Sequence, residues 1–288
     1  GPLKEAPHMK VSDIKNVACV GGGVIGSSWA IQYALKGLTV TLYDINDIMN
    51  AHNLAMVALN ARMQHERNYN DEQLAKSHAQ MLNSLEALVD HNAITAAQKD
   101  EIVARVRTTT SMEEAVKDAQ FIQESGPERI EIKRSILAQV EQFADPGALY
   151  ASSTSGLLIS DIVAEAAHPG RCIGAHPYNP PHLIPLVELT RCDKTDDACV
   201  KLAYDFYQSI GKEAVLLNKE CPGFIANRLQ LALYREVQDL VMRGVCSVED
   251  VDKALVYGPG IRWAIFGHNM IMQMGNPGGL GSWPSPDP

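Results

Sequence analysis

The chain has 288 residues, 46% of them hydrophobic, and a formal net charge of −9, enough apolar material for one large or two ordinary domains. An acidic balance with no run of five like charges argues against nucleic acid or an anionic membrane surface as partner, because each needs a concentrated basic face. No apolar stretch of about 18 residues marks a membrane span, no signal peptide is visible, and six cysteines without a CxxC pair suit a reduced, cytoplasmic chain with no metal centre.

The opening "GPLKEAPHM" reads as a tag remnant ending at Met9 and is set aside from the fold. "NVACV", Asn16 to Val20, has the pattern of a short buried strand. The segment after it, "GGGVIGSSWAIQYALKG", holds Gly21, Gly23 and Gly26 in a G-x-G-x-x-G register. Ala30, Ile31, Ala34 and Leu35 then recur at helical spacing as far as a C-cap at Gly37. "LTVTLYD" follows as a second strand ending at Asp44. Strand, glycine turn, helix, strand and acid within about 30 residues form the context a dinucleotide fingerprint requires. The first glycine permits the tight turn, the second lets backbone approach a pyrophosphate, and the third lets helix and strand pack closely. Val24 and Ile25 open the helix, whose unpaired N–H groups face the phosphates. Asp44 suits the adenosine ribose hydroxyls and repels a 2′-phosphate. No arginine occurs in "DINDIMNAHN", so NAD is expected rather than NADP.

From Asp47 to about Arg105 the pattern is helical and charged, with no glycine or proline. "VRTTT" and "AQFIQES" read as strands, "ERIEIKRSILAQVEQFA" as a helix, and "ALYASSTSG" as the strand beyond it. Such alternation predicts an α/β fold of the Rossmann type, a doubly wound, mostly parallel sheet with helices on both faces. "SIGKEAVLLN" supplies a final strand. After "KECPGFIANR" everything looks helical, including "RLQLALYREVQDLVMRG" with apolar positions at i, i+3, i+4 and i+7. The expected organisation is an NAD-binding domain over 10–218 and a smaller helical domain over 219–288. The closing "GNPGGLGSWPSPDP" holds four prolines and no apolar period, and reads as a tail.

Four polar residues stand where packing alone would not choose them. Ser155 lies at the carboxyl end of one predicted strand and His176 at the end of the next. Glu188 lies within the apolar "LVEL", and Asn227 begins the helical part. In an open parallel sheet ligands bind beyond the carboxyl ends of the strands. Oxidising an alcohol needs a hydride acceptor and a base, and a histidine with an ordinary pKa near ~6.5 suits the base at neutral pH. A carboxylate buried beside it would fix the imidazole tautomer and stabilise the imidazolium. Ser155 and Asn227 would hydrogen-bond the substrate oxygen. Each also has a plainer reading: a turn serine, a satisfied core histidine, an ion-pair carboxylate, a helix-start asparagine. The combination beyond a dinucleotide turn favours chemistry.

The segments "GGGVIGSSWA", "SSTSGL", "HPYNPPHLIPLVEL" and "PGFIANRL" resemble the L-3-hydroxyacyl-CoA dehydrogenase family, over Asn16 to about Gly275. The resemblance implies that Ser155, His176, Glu188 and Asn227 form the active site. It also implies that Glu124, Lys133 and Ser153 lie near the cofactor, that Asn179 lies near the substrate, and that a helical C-terminal domain forms a homodimer. "GPGIRWAIFGHN" replaces the methionine–glycine–proline–phenylalanine turn of the CoA-using members. With "SSWA" and "HPYNPP" it looks like the branch of L-gulonate 3-dehydrogenase (lambda-crystallin) and L-carnitine dehydrogenase, which oxidise free 3-hydroxy acids. Arg262, beside Trp263, then suits a substrate carboxylate, or a structural salt bridge. His268 departs from the proline usual in that branch, and the chain ends earlier than the family does. The competing readings are a short-chain 3-hydroxyacyl-CoA dehydrogenase and a crystallin-like structural protein.

Overall fold

The short apolar runs assemble into one eight-stranded sheet in a computed structural model, which describes residues 9–44 and 59–275. The strands are β1 (Asn16–Val20), β2 (Thr39–Tyr43), β3 (Val106–Thr109), β4 (Phe121–Glu124), β5 (Leu149–Ser152), β6 (Cys172–Pro177), β7 (Leu186–Thr190) and β8 (Glu213–Leu216). Their order is β3-β2-β1-β4-β5-β6-β7-β8, and every neighbouring pair is parallel except β6 with β7. The chain runs outward from β1 in one direction and from β4 in the other, so a crevice opens at the carboxyl ends of β1 and β4.

Alternate residues of β1 enter opposite cores. Val17 and Cys19 pack with α1 (Val24–Leu35), α2 (Leu59–Asp90), α3 (Ala96–Arg105) and α7 (Asp197–Ser209). Ala18 and Val20 pack with α4 (Met112–Val116), α5 (Ile130–Phe143) and α6 (Ile159–Ile162). Burial on both faces is why these strands carry unbroken apolar runs rather than alternation. The first core is rich in rings: Phe121 and Phe206 lie 4.4 Å apart, and Trp29 stacks on Tyr33 at 5.3 Å. Buried Gln123 accepts hydrogen bonds from the hydroxyls of Tyr33 and Tyr207 at 2.6 and 2.5 Å, so neither phenol is left unpaired.

Two expectations need correction. The strand expected over "SIGKEAVLLN" spans only Glu213–Leu216, because α7 runs to Ser209 and Gly211 turns the chain at φ +83. The described residues divide into two compact units, the first ending at Ile225 and the second starting at Ala226, rather than at Asn218. The segment 219–225 belongs to the first unit because it is tied down there: Glu220 Oε1 accepts the Ser160 N–H at 2.9 Å, and Phe224 is 3% exposed. The second unit holds α8 (Ala226–Met242), α9 (Val248–Leu255), α10 (Ile261–Trp263) and α11 (His268–Gly275). Among its described residues, Val251 is the one buried side chain. No described helix is long and apolar enough to cross a membrane. The tag remnant before Met9 and the proline-rich tail from residue 276 onward lie outside the described residues, as do 45–58 of the charged helical stretch.

The buried thiols carry a pH prediction. Cys19, Cys172 and Cys199 are free and buried, and burial pushes each above its ordinary 9.0, Cys199 to about 12. Their folded pKa values are raised, so their contribution is intact below pH 9.0 and is lost as pH climbs toward the folded values. Each should remove about 1.4 kcal/mol per pH unit in that window. Lys212 works oppositely, because burial and then Lys36 lower it to about 8 from 10.5, so it offsets one thiol. Urea midpoints at pH 8, 9 and 10 are expected to fall through the last step. A midpoint that stays flat would mean these thiols ionise freely in the folded chain.

Candidate active site

The glycine turn is built by steric necessity. Gly21 leaves β1 at φ +106, and a Cβ there would lie 2.7 Å from the Ser125 carbonyl oxygen. A Cβ on Gly26 would lie 1.7 Å from the Gly21 carbonyl oxygen, so turn and helix touch backbone to backbone. A Cβ on Gly23 would meet nothing within 4 Å. That open side adjoins the exposed Val24 at the start of α1, where no side chain caps the first turn. Ile25 is partly buried behind it. Asp44 follows β2 directly, and its Oδ2 accepts the Gly22 N–H at 3.0 Å. Ser77 of α2 closes the turn from the other side: it is fully buried, and a Cβ on Gly22 would lie 2.3 Å from its Oγ. Helix N-terminus, uncrowded backbone and a carboxylate at the end of β2 together fit NAD.

Beyond β4 and β5 the polar groups are interlocked. Glu124 and Lys133 are 0% and 1% exposed, and Lys133 Nζ donates to the two Glu124 carboxylate oxygens at 2.9 and 3.1 Å. Both residues suggested for cofactor contact therefore face each other. Glu124 also accepts the Gly126 N–H at 2.6 Å and the Ser152 hydroxyl at 2.5 Å, which fixes the loops on either side of the crevice. Ser153 is buried as well, and its Oγ lies 2.9 Å from Ser125 Oγ and from Gln123 Nε2. Ser155 is exposed on the loop three residues past Ser152, and its N–H donates to Glu128 Oε1 at 3.0 Å.

His176 and Glu188 face each other directly across the antiparallel β6–β7 pair. His176 Nδ1 lies 2.9 Å from Glu188 Oε2, and the side chains are 8% and 2% exposed. The other carboxylate oxygen, Oε1, accepts the Ile225 N–H at 2.9 Å. Phe224, next to it, stacks on the imidazole with centroids 4.7 Å apart and planes 22° apart. It does so at φ +52, an uncommon conformation for a bulky side chain and one that marks a site held by its surroundings. Register places this pair with the rest: Val20, Glu124, Ser152 and Gly174 align across β1, β4, β5 and β6, and His176 lies two residues further on. Ser155 and His176 thus share the carboxyl edge that carries the glycine turn.

Asn179 is exposed just past β6. Asn227 and Arg262 belong to the second unit, Asn227 in the first turn of α8 and Arg262 in α10. Within that unit Arg262, Trp263 and His268 line a hollow of about 270 Å³, and Trp263 Nε1 donates to His268 Nδ1 at 3.2 Å. Phe224, the Ile225 N–H, Ser77 and Glu128 are absent from the residues predicted to matter. "PGF" was the one visible signal, since a glycine before a buried ring suggests a tight backbone turn.

Two family models match the chain. That of the 3-hydroxyacyl-CoA dehydrogenase NAD binding domain covers residues 16–73 and 51–221, and that of the 3-hydroxyacyl-CoA dehydrogenase C-terminal domain covers 223–273. L-carnitine dehydrogenase of Streptomyces griseus is 39% identical over 269 residues, which are 93% of this chain and 72% of that protein. A 3-hydroxyacyl-CoA dehydrogenase of Gibberella moniliformis is 37% identical over 93% of this chain and 74% of its own length. The crystal structure of (S)-3-hydroxybutyryl-CoA dehydrogenase from Ralstonia eutropha superimposes with a TM-score of 0.72 at 27% identity, covering 86% of this chain and 78% of that one.

Proposed function

We propose that this chain, which belongs to the 3-hydroxyacyl-CoA dehydrogenase family and is an NAD-dependent oxidoreductase, oxidises the 3-hydroxyl of a free L-3-hydroxy acid, carnitine-like or gulonate-like, to the 3-keto acid. The observation that carries the chemistry is the buried His176–Glu188 contact at 2.9 Å. Bound NAD supplies the hydride acceptor. His176 takes the alcohol proton on Nε2, while Glu188 holds the other ring nitrogen as N–H and stabilises the imidazolium that forms. With one carboxylate oxygen on Ile225 and the other on His176, Glu188 has little freedom to turn away. Ser155 donates to the substrate oxygen, and Gly21, Gly23, Gly26 and Asp44 seat the dinucleotide. A homodimer formed through the second unit, whose helices bury so little among themselves, and a cytoplasmic setting belong to the same proposal.

Support for a free acid comes from the relatives named L-carnitine dehydrogenase and from Arg262 in its hollow beside Trp263. A guanidinium there would hold a carboxylate in a bidentate fork. The second reading, a short-chain hydroxyacyl-CoA substrate, has the Gibberella relative in its favour. Turnover of paired free acids and CoA thioesters, followed at the NADH absorbance, separates the two. Free acids are expected to be faster, and Arg262→Ala should raise their KM by about 10–100-fold with little change in kcat. Faster thioester turnover would reverse the ranking, and an unmoved KM would make Arg262 structural.

A further inference from the structure

The loop after β4 carries a carboxylate that the chemistry above does not use. Glu128 Oε1 accepts the N–H groups of Ser155, Gly156 and Leu157 at 3.0, 2.9 and 3.2 Å and the Thr154 hydroxyl at 2.6 Å. Four donors from consecutive residues wrap one oxygen, so the loop after β5 takes its shape from a side chain of the neighbouring loop. Glu128 Oε2 lies 3.6 Å from Lys133 Nζ, which in turn holds Glu124. Burial alone would raise the Glu128 pKa. The Thr154 hydroxyl, the Lys133 charge and the N–H groups of Gly156 and Leu157 outweigh it and hold the carboxyl below its ordinary value, so it is a charged, strong acceptor at neutral pH.

The geometry points to Glu128 as a positioning residue: it fixes the backbone of Ser155 so that the serine hydroxyl meets the substrate oxygen. This rests on the role given to Ser155 above. Ser155 and Gly156 are exposed. Water can therefore satisfy their N–H groups when the carboxylate is gone, and losing Glu128 should loosen the loop without unfolding the sheet. A displaced donor is costly in rate, because a misplacement of about 1 Å can cost roughly 10²-fold.

The test is a double-mutant cycle at saturating NAD with Ser155→Ala, Glu128→Ala and both together, with Glu128→Gln alongside. Ser155→Ala is expected to lower kcat by about 10²-fold, as loss of one oxyanion donor does. Glu128→Ala should lower it about tenfold or more, yet add less than about threefold in the Ser155→Ala background. Glu128→Gln, which keeps an acceptor oxygen, should recover part of the loss. Losses that multiply in the double variant, or a Glu128→Ala enzyme that keeps wild-type kcat, would overturn the inference and leave the role of Ser155 standing. An unimpaired Ser155→Ala enzyme would remove both. If Glu128→Ala yields no folded protein, the same cycle with Glu128→Asp, whose carboxylate is one methylene short of these donors, decides by the same criterion.

Discussion

Glu188→Gln is expected to bind NAD as the unaltered chain does while kcat falls by about 10²–10⁴-fold, the range a placed base contributes. The loss comes from tautomer rather than shape. In the native chain Glu188 Oε1 is committed to the Ile225 N–H and Oε2 to His176 Nδ1. A glutamine keeping its carbonyl on Ile225 would present its NH₂ to Nδ1, so Nδ1 would have to accept and the ring proton would move to Nε2. The nitrogen that should take up the substrate proton would then already carry one. NAD affinity by calorimetry and kcat from NADH formation read the two halves of this expectation. Turnover within tenfold of wild type would take Glu188 out of the mechanism, and lost NAD binding would show that the substitution disturbs the crevice.

Gly26→Ala is expected to cost about 3 kcal/mol or more, at the upper end for overpacking, and to abolish NAD binding. The added Cβ would lie 1.7 Å from the Gly21 carbonyl oxygen. Gly21 has nowhere to retreat, since its N–H is bonded to the Tyr43 carbonyl at 2.8 Å and its own Cα hydrogens face Ser125. For a unit of this size the melting temperature should drop by roughly 6–12 °C. Gly23→Ala supplies the contrast, because no atom lies within 4 Å of its Cβ. Its melting point should hold while NAD affinity falls, since the methyl occupies space a pyrophosphate would need. Thermal melts and NAD titrations of the two variants separate the packing role from the ligand role. Equal melting points would mean that the Gly26 turn relaxes.

Local patterns carried much of this molecule. The strand, glycine turn, helix and Asp44 are contiguous, so short apolar runs, a period of 3.6 and three glycines were enough to draw them. His176 and Glu188 stood out because neither belongs in an apolar strand without a partner. What escaped was the outcome of pairing between distant segments. "PER" in a loop gives no sign that Glu128 will organise donors near residue 155, and a helical serine such as Ser77 gives no sign that it will close the glycine turn. The strand expected from Ser209 starts late because Ser209 still closes α7 and Gly211 turns the chain at positive φ, a break that the apolar Ile210 ahead of it does not announce. The boundary moved because Phe224 and Ile225 answer to the His176–Glu188 pair rather than to the helix they precede.

The antiparallel turn-back between β6 and β7 has an evolutionary corollary. Its two strands hold His176 and Glu188 opposite one another, whereas residues 178–185 are anchored from elsewhere, His182 by Ser28 of α1 and the Ile184 carbonyl by Lys212. Rewriting that connection between its anchors would leave the register of His176 and Glu188 in place. Inserting a single residue into β7 ahead of Glu188 would turn the carboxylate to the opposite side of the sheet and break its contact with His176.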